Sequence, residues 1–473
     1  MSQDRQIYLL NPKELSPETI AVTFAKTSRS PQSFKEIAAE LSDEQSAQFH
    51  EKWVVGYGHA SVAEHAVLHL AIENVSRLAI ESIESNRLAS YTEKSTRYQK
   101  WRPEAYFIPA ELGDGRLHEE YQRVCRLLFD AYQAALPAVR EVVEREVPRL
   151  EGESPAAWDR RIRSQYIDIA RYFLPAASLA NVGMTANARV LEHAIIKLLS
   201  DPLAEARAIG LEMKLVAREE IPTLVKYADV SPYLEGSTHS LEAAARQVPE
   251  NLPGENWCRL VAFDPQGEER VLAAALYRFG GMDYPCALDT VRLADASERQ
   301  RLAGMVLGGL GKFDIPLREL EHTAFTFDLV VDQGGYFEIK RHRMMTQTPQ
   351  PLTAHLGYAI PRRMEAAGMA PAYCEAMEAA RRAYDALAEV DPHLAAYVVP
   401  NGYNRRVLLT MNLRSAFHFC RLRSASNAHF AVRRAARCMA EQIRQVYPTL
   451  AAFIDLSTDE TWQGIENQYF SQV

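Results

Sequence analysis

Glu93, Ser95 and Arg97 stand at alternate positions of SNRLASYTEKSTRY (Ser85–Tyr98), a stretch with no steady hydrophobic period. Alternate side chains of an extended chain share one face. With Thr92–Tyr98 extended, a carboxylate acceptor, a hydroxyl and a five-donor guanidinium would line up together, a set suited to an anionic ligand. On a solvated loop the same residues would instead give a surface ion pair between Glu93 and Arg97. Arg189 and Arg414 fall inside apolar helical patterns, where a buried arginine needs an anion, either a protein carboxylate or a ligand phosphate. Arg341, His342 and Arg343 set two guanidiniums around an imidazole, which can grip a diphosphate or a ring carbonyl, or simply form a basic surface patch.

Other chemistries lack their residues. His59 and His65 in GHASVAEH are six apart with Glu64 between, which is no metal-ligand spacing; a histidine backed by Glu64 fits the start of a helix better. There is no Walker loop, no GxGxxG after a strand, no GxSxG elbow and no nucleophilic cysteine context. Catalysis would lean on a bound cofactor. The six cysteines form no CxxC pair and read as reduced, mostly core thiols of a cytosolic protein. The N-terminal run is too short and too acidic for a signal peptide, and no apolar stretch could span a membrane, so a cytoplasmic location is expected. A net charge of −8 disfavours nucleic acid as the partner and leaves a small anion open.

The elements that must hold these groups repeat along the chain. A strand is expected over Gln6–Leu10, then helices over Pro31–Glu40, Ser42–Gly56, opened by a serine cap, and Ala63–Leu70. Tyr121, Val124, Leu128, Tyr132, Leu136 and Val139 mark a long helix over Leu117–Glu146, with further helices over Ala188–Leu199 and Leu203–Val225. Asp229–Pro253, with three prolines and weaker periodicity, reads as a link, giving domains 1–235 and 236–473. WCRLVAF and ERVLAAALYRF then read as strands and a helix starts at Ser297.

The two halves superpose as sequences. Glu64 and His65 match Glu321 and His322, 257 residues on, and Arg87 matches Arg343, 256 residues on. ARYFLP and TANARVLEH correspond to AAYVVP and TMNLRSAFH, and in both halves the proline precedes the arginine by 14 residues. A spacing kept across loosely similar halves argues for internal duplication.

These stretches resemble the flavin-dependent thymidylate synthase family, whose signature is RHR followed by xxSxxExSxRY, preceded by HxSxxEH and an SR pair. His59, Ser61, Glu64, His65, Ser76, Arg77, Arg87, Ser90, Glu93, Ser95, Arg97 and Tyr98 fit in the first half. TANARVLEH and TMNLRSAFH resemble the family's Asn-x-Arg segment, and NAHFAVRRAA, with Arg433, resembles its C-terminal AQWEIR-type helix. The departures are complementary. The first half has Ser85-Asn86-Arg87 for RHR, and Ser82 where the family has glutamine. The second half keeps Arg341-His342-Arg343, but its tail, TQTPQPLTAHLGY, lacks the glutamate, second serine and arginine.

The resemblance implies an α/β (α+β) fold of two tandem family domains, each a small mixed or antiparallel sheet with long helices. It implies FAD as cofactor, NADPH and methylenetetrahydrofolate as co-substrates, and methylation of dUMP to dTMP without a protein nucleophile. A homodimer would rebuild a pseudo-tetramer. The expected site is composite, since each half keeps what the other has lost. Arg87, Glu93, Ser95, Arg97, Arg189, Arg414 and Arg433 would contact the nucleotide; His59, Ser61, Ser90, Arg341, His342 and Arg343 would contact the cofactor. Ser85, Asn86 and the Pro349/Pro351 segment would mark a degenerate second site. Two alternatives are a divergent flavoenzyme for another pyrimidine nucleotide, as the replacements at Ser82 and Ser85 suggest, and a non-catalytic nucleotide- or flavin-binding homologue.

Overall fold

A computed structural model describes residues 6, 8–28, 30–57, 59–249, 256–311, 313–456 and 459–472. The chain divides into two compact units that interleave in sequence. The first holds residues 1–95, 105–113 and 177–250; the second holds 96–104, 114–176 and 251–473. Each contains an antiparallel sheet packed on helices.

In the first unit, β1 (Val67–Ser76), β2 (Ser90–Glu93) and β3 (Leu179–Asn187) form a sheet in the order β1-β3-β2. On β3 every second residue, Ala180, Val182, Met184 and Ala186, is buried, as a half-covered strand requires. Ile80 and Ile83 of the Arg77–Ile83 helix and Leu191, Ile195 and Leu198 of the Ala188–Leu199 helix complete that core. Both helices follow a strand directly and are capped by side chains: Ser76 accepts from the Ala79 amide and Asn187 from the Val190 amide.

In the second unit, β4 (Cys258–Phe263), β5 (Ala324–Asp332), β6 (Thr346–Pro349) and β8 (Asn404–Asn412) form a sheet in the order β4-β5-β8-β6, and β7 (Ile360–Pro361) pairs with β9 (Phe470–Gln472). Phe325, Phe327, Leu329, Val407, Leu409 and Met411 are buried on one face, which the Phe430–Val446 helix covers. The expected long helix runs from Arg116 to Glu146, in this second unit, with its apolar stripe buried.

The registers make the repeat explicit. Val67 pairs with Asn187 and Ala324 with Asn412; Ser90 pairs with Thr185 and Thr346 with Thr410. The change of offset from 257 to 256 residues has a local cause. β1 shifts register between Ile72 and Val75, where Asn74 takes a positive φ of 57°, whereas β5 runs through without a shift. One inserted residue is accommodated as a bulge, and asparagine tolerates the left-handed backbone there.

Several sequence expectations are corrected. Tyr8–Leu10 carries no strand, and Ile7 lies outside the described residues. Ala63–Leu70 is not a helix: a 3₁₀ turn (Ala60–His65) leads into β1, because VLHLAIEN alternates when counted in twos and pairs with β3. ERVLAAALYRF forms a helix (Gly267–Phe279) that buries Val271, Leu272, Ala273 and Ala274; a short apolar run carries no strand signal of its own. Helical backbone does follow the Ser42 capping box, but Asp43–Phe49 is α-helical and His50–Gly56 continues as a π-helical turn. Within Asp229–Pro253 a helix spans Pro232–Ala245 with none of its residues buried, so the core supplies no sequence period there.

Candidate functional site

Arg97 is the focus. β2 ends at Glu93 and the chain turns at 96–98, so Glu93, Ser95 and Arg97 do not share a strand face. Glu93 stays in the first unit, in a 2.6 Å ion pair with Arg77, both side chains sealed from solvent. Ser95, half-buried, is the last residue of that segment of the unit. Arg97 lies in the segment 96–104, the first that the first sequence half contributes to the second unit. Its Nε and Nη2 donate to Asp168 at 2.9 and 2.7 Å, and its Nη1 donates to the Asn427 carbonyl at 3.0 Å and lies 3.3 Å from Glu338 Oε1. Burial opposes its charge, but Asp168 and then Glu338 hold the guanidinium firmly protonated.

The neighbours come from both halves of the sequence and all belong to the second unit. Arg171, 1% exposed, donates to Thr96 Oγ1 and lies 3.5 Å from Asp168. Glu338, at the end of the Gln333–Ile339 helix, also receives Arg423, which donates from Nη1 to its carboxylate and from Nη2 to its carbonyl, each at 3.2 Å. His429 and Arg433 come from the start of the Phe430–Val446 helix. The His429 ring is fully buried; burial, then Arg171, Arg97 and Arg433, keeps it neutral against a weaker opposing contact with the Asp168 backbone. Arg433 is 4% exposed, its Nη1 donates to the Ser426 carbonyl and its Nε has no partner; the carboxylate of Glu460, 3.8 Å away, is shared with Arg437. The Nε of Arg171 likewise lacks a hydrogen bond. Buried donors left without acceptors are costly, and an anion with several oxygens is the group that would satisfy them.

The turn carrying Arg341, His342 and Arg343 lies between the Gln333–Ile339 helix and β6. Gln347 of β6 clamps it, donating Nε2 to the carbonyls of Ile339 and His342 at 3.2 and 3.0 Å. The first unit has the same clamp in other chemistry: the Tyr91 hydroxyl donates to Ile83 O at 2.9 Å and Asn86 O at 3.3 Å. The turn geometry persists while its charge is gone. Ser85 there takes the Lys197 ammonium at 2.5 Å, Asn86 is buried on the Ile83 carbonyl, and Arg87 is exposed. In the second unit His342 is buried against the Phe419 ring, and its Nε2 accepts from Arg423 Nε at 2.7 Å. Burial, then Arg423, His418 and Arg341, pushes its pKa down to about 3. Neutral His342 thus positions Arg423, while exposed Arg341 and half-buried Arg343 offer cationic forks that suit a diphosphate.

Arg189 and Arg414 make matching contacts. Arg189 pairs with Glu64 at 2.5 Å and Arg414 with Glu321 at 2.7 Å, and Arg414 Nε also donates to the Pro316 carbonyl. The expectation that both are buried fails, since the Arg189 side chain is 53% exposed. Glu64 is therefore engaged with Arg189 and does not back a histidine; His65 packs on Phe24 instead. His59, near the Trp53 ring, and Ser61 are exposed in the first unit. Ser90 faces a shallow cavity of about 310 Å³ on the open side of that unit's sheet, with His69, Thr92 and Thr185.

Three participants escaped the sequence reading. Arg171 and Asp168 sit in or just before ARYFLP, and the register equates them with Ala396 and His393 of the second half. Glu338 aligns with Ser82, at the position where the glutamine was expected. The signal was present: a charged residue in one half facing a neutral one in the other, the same asymmetry seen in RHR. Among the described residues no cluster of His, Cys, Asp and Glu could hold a metal ion, and no helix is long and apolar enough to cross a membrane.

Comparison with known proteins gives two matches along the chain to one family, described as thymidylate synthase complementing protein, over residues 11–223 and 259–449. The chain is 32% identical over 432 residues to a UPF0159 protein of Chlamydia muridarum, covering 88% of this chain and 82% of the relative. It is 28% identical over 448 residues to UPF0159 protein Ta1429 of Thermoplasma acidophilum, covering 88% and 89%. A flavin-dependent thymidylate synthase of Clostridium tetani is 29% identical over 219 residues, 46% of this chain and 84% of that protein.

Proposed function

The chain belongs to the thymidylate synthase complementing protein family, and from that premise we propose that it is an FAD-dependent enzyme that methylates dUMP to dTMP, with methylenetetrahydrofolate and NADPH as co-substrates. The observation that carries the reading is the gathering of Arg97, Arg171 and Arg433 around buried donors without acceptors. In this reading the three guanidiniums take the nucleotide phosphate, and Arg341 and Arg343 hold the FAD diphosphate. FAD supplies the hydride that completes the methyl group. The chain's own residues orient the nucleotide, neutralise its phosphate and keep water from the buried end of the site. Arg87, Glu93, Ser95, Arg189 and Arg414 then act through the scaffold, Glu93 by fixing Arg77 and the last two through their glutamates. Repeats 1–235 and 236–473, a cytoplasmic location and a homodimer acting as a pseudo-tetramer belong to the same proposal.

Glu338 favours a second reading. A carboxylate only accepts hydrogen bonds, whereas the family's amide can also donate, so a pyrimidine nucleotide other than dUMP would suit it. Purified protein is tested for bound flavin by its visible spectrum, then for tritium release from 5-tritiated dUMP with methylenetetrahydrofolate and NADPH. Flavin with release supports the first reading; flavin without release, but with tight binding of another pyrimidine nucleotide, supports the second. Protein that takes up neither FAD nor nucleotide overturns both.

A further inference from the structure

The Ala204–Glu220 helix of the first unit and the Phe430–Val446 helix of the second are counterparts. Both have 17 residues, both run into a buried residue followed by Pro-Thr-Leu, and Ala204 matches Phe430, 226 positions on. In the second unit the segment that follows covers one face of the helix. Phe430 stacks on Tyr469 at 5.2 Å between ring centres, Arg434 pairs with Glu466 at 2.7 Å, and Glu441 accepts from Trp462 Nε1 at 2.9 Å. The covering element is the Trp462–Tyr469 helix, capped by Thr461, which buries Ile465.

In the first unit the matching positions are Ala204, Ala208 and Leu215, with Leu211 where the second unit has Arg437. Spacings of four, three and four residues are those of a helix-pairing seam. Yet Leu211 and Leu215 are 52% and 55% exposed, and Ala208 is exposed as well. The counterpart of the covering helix is present too. Pro232–Ala245, capped by Ser231, carries Leu234, Leu241 and, just past its end, Val248 at intervals of seven. None of its residues is buried, and Leu241 is 69% exposed. A helix of 14 residues without packing is marginal in water, so its apolar stripe needs a cover as much as the seam does.

Within one chain the two cannot meet as their counterparts do. The Trp462–Tyr469 helix starts against Glu441, toward the C-terminal end of the helix it covers, and Tyr469 finishes against Phe430, that helix's first residue. In the first unit Asp229 is tied to Lys214 at 2.6 Å, and the Ser231 amide donates to Ser200 Oγ at 2.8 Å. Pro232 therefore starts beside Ser200, just ahead of Ala204, where a cover running in that direction should finish.

We propose that this face is the contact between two copies of the chain, each covering the other's Ala204–Glu220 seam with its own Pro232–Ala245 helix. The same two helices serve on both sides, so the contact closes as a two-fold dimer. It rests on the homodimer of the proposed function, for which it names the surface, and on none of the flavin or nucleotide chemistry.

The test uses the full chain, in sedimentation velocity and in amide hydrogen exchange. A dimer with slow exchange over residues 232–245 is expected. Leu211→Glu/Leu215→Glu puts charge on the seam and Leu241→Glu puts it on the stripe; all three leucines are exposed in the single chain, so both variants should fold, as thermal unfolding checks. Each should sediment as a monomer at concentrations where the unmodified chain is a dimer, with exchange over 232–245 at least tenfold faster. The unmodified chain reports through exchange even if a variant fails to fold. A dimer that persists in either folded variant, or fast exchange over 232–245 in the unmodified dimer, overturns this surface and leaves the homodimer standing. A monomeric unmodified chain overturns both, and leaves the activity to the flavin spectrum and tritium release.

Discussion

Arg97 Nη1 lies 3.3 Å from Glu338 Oε1, with the two side chains 15% and 3% exposed. Arg97 is the arginine of the SxxExSxRY tail in the first half, and Glu338 stands one turn before the intact RHR of the second. A single compact unit holds both. The two halves of a split signature thus meet through a charge pair. The same carboxylate also holds Arg423 and, through it, His342.

Replacing Arg97 by alanine takes the two-pronged partner from buried Asp168, leaving it only the longer contact with Arg171, and leaves Glu338 to Arg423; it is expected to cost about 3 kcal/mol of stability. Lysine at the same position keeps the charge but loses the two-pronged contact with Asp168, and should fold. Arg97→Lys is expected to weaken nucleotide monophosphate binding about tenfold or more, the loss of roughly 1.5–3 kcal/mol for a charge-assisted hydrogen bond. Calorimetric titration of the monophosphate against its nucleoside checks this: the difference between the two should shrink in the variant. An unchanged difference would remove Arg97 from the phosphate site.

Two carboxylates of the first unit should respond differently to the same change. Glu93 and Arg77 are paired with side chains 3% and 2% exposed, so Glu93→Gln removes the countercharge facing a buried guanidinium and is expected to cost about 3 kcal/mol. The Glu64–Arg189 pair is 45% and 53% exposed, and Glu64→Gln should change stability by no more than about 1 kcal/mol. Urea unfolding of the two variants side by side decides between them.

Acid should unfold the protein in part through His342. Its folded pKa of about 3 lies below the ordinary value of 6.5, so between these limits the unfolded chain binds more protons and stability rises with pH. The contribution is complete above pH 6.5 and is lost as pH falls toward 3. His342→Gln keeps an acceptor for Arg423 and cannot titrate. Its melting temperature should fall less than that of the unchanged protein between pH 7 and pH 4, buried His429 giving both proteins a shared remainder.

Gly402 leaves no room for a side chain. A Cβ there would lie 1.9 Å from the Tyr373 hydroxyl, which donates to the Ala359 carbonyl, and 3.4 Å from the Tyr172 carbonyl. Gly402→Ala must displace buried Tyr373 and is expected to cost about 1–3 kcal/mol, as overpacking does. Gly236→Ala, where nothing lies within 4 Å, serves as the comparison in thermal unfolding.

The repeat was legible in the sequence because local rules carry it. The helix period placed Ala188–Leu199, and the matched Glu64/Glu321 and Arg189/Arg414 proved to be two copies of one ion pair. The complementary loss of RHR in one half and of the ExSxR tail in the other was legible too. Short apolar runs were not: VLHLAIEN became a strand and ERVLAAALYRF a helix, because at that length strand pairing or helix packing, not period, decides.

The sequence alone determined the family, the duplication and which half kept which charged group. The tertiary structure decided where those groups go, because burial and pairing are properties of packing. It carried Arg97, Asp168 and Arg171 of the first half into the second unit, brought Glu338, His429 and Arg433 to them, and left Glu93 with Arg77 and Arg189 with Glu64 in the first. A carboxylate or a guanidinium has the same letter whether solvated or sealed; only its neighbours in space, from 16 residues away for Glu93 and Arg77 to 125 for Arg189 and Glu64, fix its charge partner.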